Sequence, residues 1–368
     1  MSSIKILHGA DFHLDSPFDA LPEEKAARRR WEQRGLLDRL AQLAKSEQVD
    51  AVLLSGDLLD SDRSYYETGE TLIRAFSAIE APIFIAPGNH DYYHKFSPWA
   101  ALKLPKNVHV FKTQTPEAVE LEKCQAVVWG AAFTASRSKS LLEEFVPILN
   151  KNGKLHLMAL HGQVGGEGDT YNPITKDQIA QSGLNYLALG HEHRHSGLQK
   201  AGATYYAYPG CPEGRGFDET GPCGVLIAEV SDHSVKERFV TLGGRQYHKL
   251  EVDLEKNPDA NGAIGAAIPK ETARDIYRIA LTGEFDGPLD IPELTKAFED
   301  RFFHLVIRDE TRIRRDIWAQ AEEDTLRGLF LRKMRAKYEA GDAREREEVT
   351  WAIRYTLDAM ENGEQWRV

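Results

Sequence analysis

Five short motifs in the sequence combine aspartate, asparagine and histidine, which are residue types that bind divalent metal ions. In chain order they are Asp11-Phe12-His13, Gly56-Asp57-Leu58-Leu59-Asp60, Gly88-Asn89-His90-Asp91, His161-Gly162 and Gly190-His191-Glu192-His193. Carboxylate oxygens, an amide oxygen and imidazole nitrogens form a donor set of mixed hard and borderline character, which suits such ions. Each motif alone is more typical of a turn or a core histidine, but the ordered set of five indicates one shared site.

The motifs lie at the ends of short apolar runs that have the length of β-strands. These runs occupy residues 4–7, 51–54, 83–85, 127–129, 155–160 and 186–189. Apolar residues at helical spacing occupy the intervening segments 36–45, 72–79 and 141–148. Strands that alternate with helices predict an α/β sheet with helical cover. Ligands gather at the carboxyl ends of the strands in such sheets, so the five motifs can meet in one crevice.

The rest of the chain divides into three parts by its pattern. Residues 204–241 are rich in strand patterns, which predicts a second sheet packed on the first and a two-sheet sandwich flanked by helices over residues 1–244. Turn residues follow, and residues 245–310 predict a small α/β domain. Residues 311–368 predict a pair of amphipathic helices, because apolar residues recur every four positions on both sides of Gly341.

Composition and charge exclude several classes of protein. The 368 residues carry a net charge of −11, which argues against non-specific coating of nucleic acid. This charge is compatible with a nuclease, because divalent metals in the site would supply positive charge against phosphate. No apolar run approaches the ~20 residues of a membrane-spanning helix. No signal peptide is visible, and the three cysteines show no C-x-x-C spacing, so we predict a cytoplasmic protein with no membrane partner.

The ordered motifs resemble those of the calcineurin-like metallophosphoesterases, and within them the SbcD-type DNA repair exonuclease subunits. The stretch DFHLDSPF, residues 11–18, especially resembles the YhaO branch of that family. This resemblance implies a four-layer α/β sandwich of two mixed β-sheets flanked by helices. It also implies a small α/β capping domain at the C-terminal side and a helical tail that docks on a partner.

The resemblance further implies a centre of two divalent metal ions, which is usually manganese in the nuclease members. The first ion would be held by Asp11, His13, Asp57 and His193, and the second by the bridging Asp57 with Asn89, His161 and His191. Two such ions would clamp the attacking and leaving oxygens of an in-line phosphoryl displacement. A bridging water, acidified by both ions, is then expected to be the nucleophile.

Other residues near the motifs receive roles from the same resemblance. His90 would protonate the leaving 3′ oxygen, and Asp91 would orient its ring. Arg215 would contact phosphate. Independently of the resemblance, the position of Tyr92 just after the catalytic motif predicts that it stacks on a base, shapes the cleft or packs in the protein. Asp60 stands where some nuclease relatives have a histidine, and we expect it to form a hydrogen bond behind the metal ligands instead.

The function implied is a Mn-dependent DNA nuclease, an exonuclease or endonuclease of phosphodiester bonds, in an SbcCD-like complex for DNA repair and recombination. Its expected partners are DNA, an SbcC-like coiled-coil ATPase bound by the C-terminal helices, and a second copy of the chain. One alternative is a phosphodiesterase or phosphatase for a small nucleotide or a lipid-linked phosphate. Another is a non-catalytic scaffold for the ATPase. The cap and tail favour a DNA enzyme, and the complete set of ligand positions argues against a scaffold.

Overall fold

The apolar runs at the start of the chain form the strands of two six-stranded sheets. The computed structural model describes residues 3–149, 151–165, 168, 170–285, 289–313 and 315–361. The chain divides into two compact units, Met1–Gln246 and Tyr247–Val368. None of the helices in these described ranges is long and apolar enough to cross a membrane.

The first sheet places three of the motifs at one edge. It contains β1 (Ser3–Gly9), β2 (Ala51–Leu54), β3 (Ile83–Ile85), β4 (Val108–Val110), β13 (Gly224–Ser231) and β14 (Val235–Thr241). The strand order is β14-β13-β1-β2-β3-β4, with β1 to β4 parallel and the β1–β13 and β13–β14 pairs antiparallel. Asp11, Asp57 and Asn89 therefore follow neighbouring strands at their carboxyl ends.

The second sheet supplies the remaining motifs in the same way. It contains β5 (Glu117–Leu121), β6 (Ala126–Gly130), β7 (Leu155–His161), β10 (Tyr186–Gly190), β11 (Gln199–Ala201) and β12 (Thr204–Ala207), in the order β11-β12-β10-β7-β6-β5. The four central strands are parallel and the two edge strands are antiparallel. His161 ends β7 and His191 follows β10. A two-stranded ribbon, β8 (Gln163–Val164) and β9 (Pro173–Ile174), lies between them in sequence.

Both sheets are covered on both faces, which explains why their strands are continuously apolar. The helices of this unit are α1 (Glu23–Ser46), α2 (Tyr66–Ser77), α3 (Pro98–Ala101) and α4 (Lys176–Gln181), and residues Glu122–Cys124 form a 3-10 turn. Side chains alternate between the faces of a strand. Leu54 packs in one core with Leu36 of α1 and Phe76 of α2, while its neighbour Leu53 packs between the sheets with Leu157 of β7. The predicted sandwich of two mixed sheets flanked by helices is confirmed.

The strand-rich segment 204–241 does not form a separate sheet, contrary to the sequence-based expectation. Strand β12 joins the second sheet, whereas β13 and β14 extend the first sheet beside β1. Leu226 and Val230 of β13 face the layer between the sheets, as do Ile4 and Ile6 of β1. Strand length and periodicity give no information about which sheet edge a strand will join, so the division was not visible in the pattern.

The helix predicted over residues 141–148 is also wrong. The structure has turns and extended chain there, although Leu141, Leu142, Phe145 and Ile148 do pack against the outer face of the second sheet. Pro147 lacks a backbone N–H and disfavours helical geometry at the residue before it. The apolar residues therefore pack against the sheet from an irregular segment and not from a helix. Pro147 was the signal in the sequence against a helix.

The second unit combines a small α/β layer with a helical pair. Parallel strands β15 (Tyr247–Asp253), β16 (Ile276–Thr282) and β17 (His304–Asp309) alternate with α5 (Ala260–Ala267) and α6 (Ile291–Phe298). Residues Glu299–Arg301 and Arg315–Glu322 are 3-10 helices, and α7 (Leu326–Ala340) and α8 (Ala343–Glu361) follow. The expected boundary between a capping domain and a tail at residue 310 falls inside this unit, and that three-part division stays a prediction. Residues 314 and 362–368 of the expected tail lie outside the described residues.

A buried arginine fastens α8 to the end of the small sheet. Arg354 is almost fully buried and donates hydrogen bonds to the Asp309 carboxylate, the Thr311 hydroxyl and the Phe285 carbonyl oxygen. Asp309 is itself mostly buried, with 11% of its side chain exposed. Removing one member of a buried ion pair leaves the other charge without compensation.

We expect the substitution Arg354→Met to lower the free energy of unfolding of the C-terminal unit by about 3 kcal/mol. The measurement is hydrogen exchange of the amide groups of β17, followed by mass spectrometry. The matched control is Arg344→Met on the same helix, whose partner Glu348 is exposed and whose loss should change the free energy by no more than about 0.5 kcal/mol. Equal exchange in the two variants would contradict the anchoring role of Arg354.

Candidate metal centre

Strained backbone at the strand ends aims the motif side chains into the crevice. Asp11, His13, Asp57 and His191 have φ angles of 54°, 43°, 51° and 112°, which are positive values that non-glycine residues rarely adopt. Each such conformation costs about 1 to 3 kcal/mol and persists only where the surroundings enforce it. For Asp11 and His13, backbone hydrogen bonds do so, from Asp11 N–H to the Gly56 carbonyl and from His13 N–H to the Asp57 carbonyl. Four strained residues at one edge of the sandwich mark it as a candidate functional site.

One candidate cation position lies between His13 and His193. The Nδ1 atom of His13 lies 3.0 Å from a carboxylate oxygen of Asp60, and the Nδ1 of His193 lies 2.7 Å from one of Glu219. Because a carboxylate accepts, each Nδ1 donates, and in the neutral rings each Nε2 then carries a lone pair. These two Nε2 atoms lie 3.2 Å apart, and Asp11 offers a carboxylate oxygen 4.0 Å from the Nε2 of His193. A cation among these atoms would satisfy all three acceptors.

A second position lies beside His161. Its Nδ1 donates to the Ser55 carbonyl oxygen over 2.9 Å, which again leaves Nε2 to face the crevice. That Nε2 lies 3.0 Å from the side-chain oxygen of Asn89 and 3.2 Å from a carboxylate oxygen of Asp57. When the His161 ring is neutral, its Nε2 and the oxygens of Asn89 and Asp57 are all hydrogen-bond acceptors, and none of these three atoms donates to another. A cation, or a proton on His161, is needed to satisfy them.

Charge balance in the crevice indicates the same need for a cation. Burial alone would lower the pKa of His161, but the adjacent carboxylate of Asp57 raises that pKa to about 9. Burial likewise opposes ionisation of Asp57, yet the charge of His161 holds its pKa well below the usual range. The His161 proton therefore neutralises Asp57 in the place where a metal cation would do so. Metal binding to such ligands displaces protons.

The structure brings most of the predicted ligands together. Donor atoms lie within 4.8 Å of one another in the groups Asp11-His13-His193, Asp11-Asp57-His161 and His13-Asp57-His90. Asn89 joins through its contact with His161. The ring of His191 instead packs edge-on against His161, at 5.2 Å between centroids, and stacks on Tyr171. Its backbone N–H donates to the Asp11 carboxylate. The ligand roles stay predictions, and the donor set fits divalent cations.

His90 is the exposed member of the cluster, and its orientation differs from the expectation. Its Nδ1 lies 2.9 Å from the backbone carbonyl of Asp60, so Nε2 is turned away from that contact. Asp91, expected to orient this ring, is fully buried and accepts hydrogen bonds from the backbone N–H groups of residues 57, 58, 59 and 88. Asp91 thus joins two motif loops and positions their backbones, while the Asp60 carbonyl orients His90.

The two residues predicted to contact substrate have different surroundings. Arg215 donates to Asp60 over 3.1 Å and to Glu219 over 2.8 Å, so it braces the two carboxylates that orient His13 and His193. The predicted phosphate contact of Arg215 stays a prediction. Tyr92 lines an open cleft of about 440 Å³ together with Asn89, His90, Ser136, Arg137 and Tyr171. The cleft gives a substrate access to His90.

Several positioning residues escaped the sequence-based reasoning. Glu219 orients His193. Burial alone would raise the pKa of Glu219, but the hydrogen bond from His193 and the charge of Arg215 lower it to about 2. Gln33 of α1 donates to the carbonyls of Phe12 and His13. Arg29, on the same helix and fully buried, pairs with Glu213 and donates to the Gly214 carbonyl. None of these positioning residues belongs to one of the five motifs. The only sequence feature that could have indicated Glu219 is its position four residues after Arg215.

Comparison with known proteins agrees with this geometry. Residues 4–195 match the family model described as "Calcineurin-like phosphoesterase". The chain is 27% identical over 343 residues to "Uncharacterized metallophosphoesterase YhaO" of Bacillus subtilis (strain 168), covering 88% of this chain and 82% of that protein. It is 26% identical over 256 residues to the SbcD subunit of the nuclease SbcCD from the same organism, covering 59% of this chain and 64% of the relative.

A third relative has the same description as the second. The SbcD subunit of the nuclease SbcCD from Rhodobacter capsulatus is 26% identical over 214 residues, covering 54% of this chain and 50% of the relative. The chain thus spans less than two thirds of either of these nuclease relatives.

We expect the binding of a divalent cation, with Mn²⁺ as the probe, to release protons and to strengthen as the pH rises. Because the pKa of His161 is about 9, its Nε2 is protonated near neutrality, and the proton must leave before a cation binds. The apparent affinity should rise by about tenfold per pH unit between pH 6.5 and 8. Isothermal titration calorimetry in buffers of different ionisation enthalpy measures both effects. The variant His195→Gln, altered at a histidine outside the centre, should behave identically, and binding without proton release would contradict the prediction.

Proposed function

The chain belongs to the calcineurin-like phosphoesterase family, and from this premise we propose that it is a metal-dependent nuclease that hydrolyses phosphodiester bonds in DNA. The family consists of hydrolases that use divalent metals. The proposal of DNA as substrate is supported by similarity to the SbcD subunits of two SbcCD nucleases. We propose Mn²⁺ as the metal because the resemblance to the nuclease members implies it.

The single observation that carries the proposal is an exposed histidine beside two groups of acceptor atoms, most of which belong to buried residues. Cleavage of a phosphodiester creates an anionic transition state and an alkoxide leaving group, so it requires concentrated positive charge and an acid. Divalent cations held by the two acceptor groups would supply Lewis-acid stabilisation of the phosphate charge. His90, with its ring 4.7 Å from that of His13, stands at the open side where the leaving oxygen would emerge.

The chain's own residues prepare His90 for this task. The Asp60 carbonyl accepts from Nδ1 and holds the ring so that Nε2 can donate a proton to the leaving oxygen. Asp57 accepts a hydrogen bond from the His90 backbone N–H, which ties the acid to a proposed metal ligand. Tyr92 and Arg137 line the cleft outside His90, where they would contact the nucleotides next to the scissile bond.

A second candidate function is hydrolysis of a small nucleotide or lipid-linked phosphate ester. The net charge of −11 favours it, because an acidic protein attracts long polyanions poorly. The cleft of about 440 Å³ is also of a size that holds a small molecule. Both candidates use the same centre and differ only in what the cleft admits.

We expect the substitution His90→Ala to reduce Mn²⁺-dependent cleavage of linear duplex or single-stranded DNA by about 100-fold or more, because the leaving oxygen loses its acid. Mn²⁺ content, measured by elemental analysis, should stay unchanged, which separates a proton donor from a metal ligand. The control His109→Ala removes a half-exposed histidine that pairs with Glu117, away from the centre, and should retain full activity.

The other outcomes decide between the alternatives. Hydrolysis of bis-p-nitrophenyl phosphate without cleavage of either DNA would favour a small ester as substrate or a requirement for a partner. Addition of a purified SbcC-type ATPase then distinguishes these two explanations. A metal-loaded chain that hydrolyses neither substrate, with or without the ATPase, would indicate a scaffold.

We also propose that the helical pair docks on a coiled-coil ATPase. The inner faces of α7 and α8 pack together around Leu331 and Ile353. Leu326 and Leu329 of α7 have 73% and 47% of their surface exposed, and Tyr355 and Met360 of α8 are exposed as well. Apolar side chains on the outside of an amphipathic helical pair suit binding to a groove on a partner.

We expect the double substitution Leu326→Ser with Leu329→Ser to weaken binding to an SbcC-type ATPase by about tenfold or more. Biolayer interferometry with the purified proteins gives the affinity. The control Leu149→Ser alters a leucine that is 95% exposed in the other unit and should bind as the unaltered chain does. Equal affinities for all three proteins would place the docking surface elsewhere.

A further inference from the structure

Two cysteines lie at the ends of the loop that positions His193. This loop, residues 211–223, also carries Arg215 and Glu219. Cys211 is buried and Cys223 is partly exposed, and both are free thiols with their Sγ atoms 3.8 Å apart. The Cys211 carbonyl accepts a hydrogen bond from Gly224 N–H, so the backbones beside the two cysteines already run next to each other. A disulfide bond requires such proximity and an S–S distance of about 2.05 Å.

We propose that Cys211 and Cys223 form a reversible disulfide, and that closing this disulfide weakens cation binding at the metal centre. The inference rests on the metal centre of the proposed function but not on DNA as the substrate. A cavity of about 400 Å³ lined by both cysteines, His193 and Glu219 gives a small oxidant access to the sulfurs. The third cysteine, Cys124, belongs to a different part of the chain, beside β6.

The oxidant would be an oxidised low-molecular-weight thiol, such as glutathione disulfide. The thiolate of the more exposed Cys223 attacks one sulfur of the oxidant and expels the first glutathione as a thiolate, leaving a mixed disulfide on the protein. The Cys211 thiolate then attacks the Cys223 sulfur and expels the second glutathione. Two protein thiols are oxidised and one small disulfide is reduced to two thiols, which take up the two protons that the cysteines lose.

Several contacts hold the first half of the loop in place, so under this proposal the movement that brings the sulfurs together occurs in the second half. The Cys211 backbone N–H donates to the His193 carbonyl over 3.0 Å. A Cβ atom on the preceding Gly210 would lie 2.8 Å from that same carbonyl oxygen, so the two segments are in close contact. Glu213 is fixed by the buried Arg29. Under this proposal, most of the displacement therefore occurs in residues 219–223, which lie at the cavity side.

Displacement of residues 219–223 acts directly on a proposed metal ligand. Glu219 holds the Nδ1 of His193 at 2.7 Å, and it also pairs with Arg215. Loss of such an orienting carboxylate typically lowers metal affinity by about 10- to 100-fold. By reciprocity, a bound cation must oppose closing of the disulfide by the same factor. The Cys211–Cys223 pair thus couples the redox state of the surroundings to the binding of a cation at the metal centre.

The test uses the full chain, treated with glutathione disulfide and compared with the reduced protein. Alkylation and mass spectrometry should show that Cys211 and Cys223 are joined while Cys124 stays free. After desalting, the Mn²⁺ affinity measured by calorimetry should be about tenfold lower than in the reduced protein, and reduction should restore it. The variants Cys211→Ser and Cys223→Ser should keep the higher affinity under oxidation, and the control Cys124→Ser should respond as the unaltered chain does.

Each remaining outcome would overturn the inference. Thiols that stay reduced, or a mixed disulfide with glutathione that never closes, would exclude the internal bond. A closed disulfide with unchanged Mn²⁺ affinity would exclude the coupling. The circular dichroism spectrum of the oxidised protein must match that of the reduced protein. A loss of Mn²⁺ affinity that is caused by unfolding would also contradict the proposed coupling. Thiol state and metal affinity are measured without any substrate, so failure here is distinguishable from failure of the nuclease proposal.

Discussion

Two carboxylates, Asp11 and Asp57, are buried together where both sheets end, and the rest of the centre is arranged around their charge. Their oxygens lie within 4.8 Å of a shared histidine, His161, and of each other. Like charges at this separation are unfavourable in a buried site unless cations or N–H donors compensate them. Backbone N–H groups of His90 and His191 provide part of that compensation. The remainder has to come from a proton on His161 or from a metal.

The same constraint explains the outer layer of carboxylates and carbonyls. His13, His161 and His193 each direct Nδ1 to an oxygen atom, and so each directs Nε2 inward. Three rings oriented by three different oxygens have a common effect: each turns toward the buried carboxylates a nitrogen that can bind a cation when it is deprotonated, and the Nε2 of His161 carries a proton until then. Of these three rings, that of His13 lies in a strained turn, which Gln33 of helix α1 holds by donating to the His13 carbonyl. Arg29 of the same helix holds Glu213, in the loop that carries Glu219.

The strands and the location of the centre could be predicted because they depend on local signals. A strand covered on both faces must be continuously apolar, and a polar motif that follows it must lie at the sheet edge, as Asp11 and Asp57 do. Contacts between distant segments left no such signal: Arg29 and Glu213 are separated by 184 positions. The orienting role expected of Asp91 failed for a related reason, because its carboxylate satisfies backbone N–H groups that only the folded loops bring together. Neither apolar spacing nor motif order contains that information.

The anchoring of α8 by Arg354 has a mechanical consequence within the C-terminal unit. A pulling force applied to this helix would not simply peel the helical pair from the small sheet. The buried bonds from Arg354 to Asp309 and Thr311 would pass the tension to the end of β17. From there the load would be shared along the parallel hydrogen-bond ladder with β16. Within this unit, a load on the helical pair would therefore reach the three-stranded sheet through a buried side chain, Arg354.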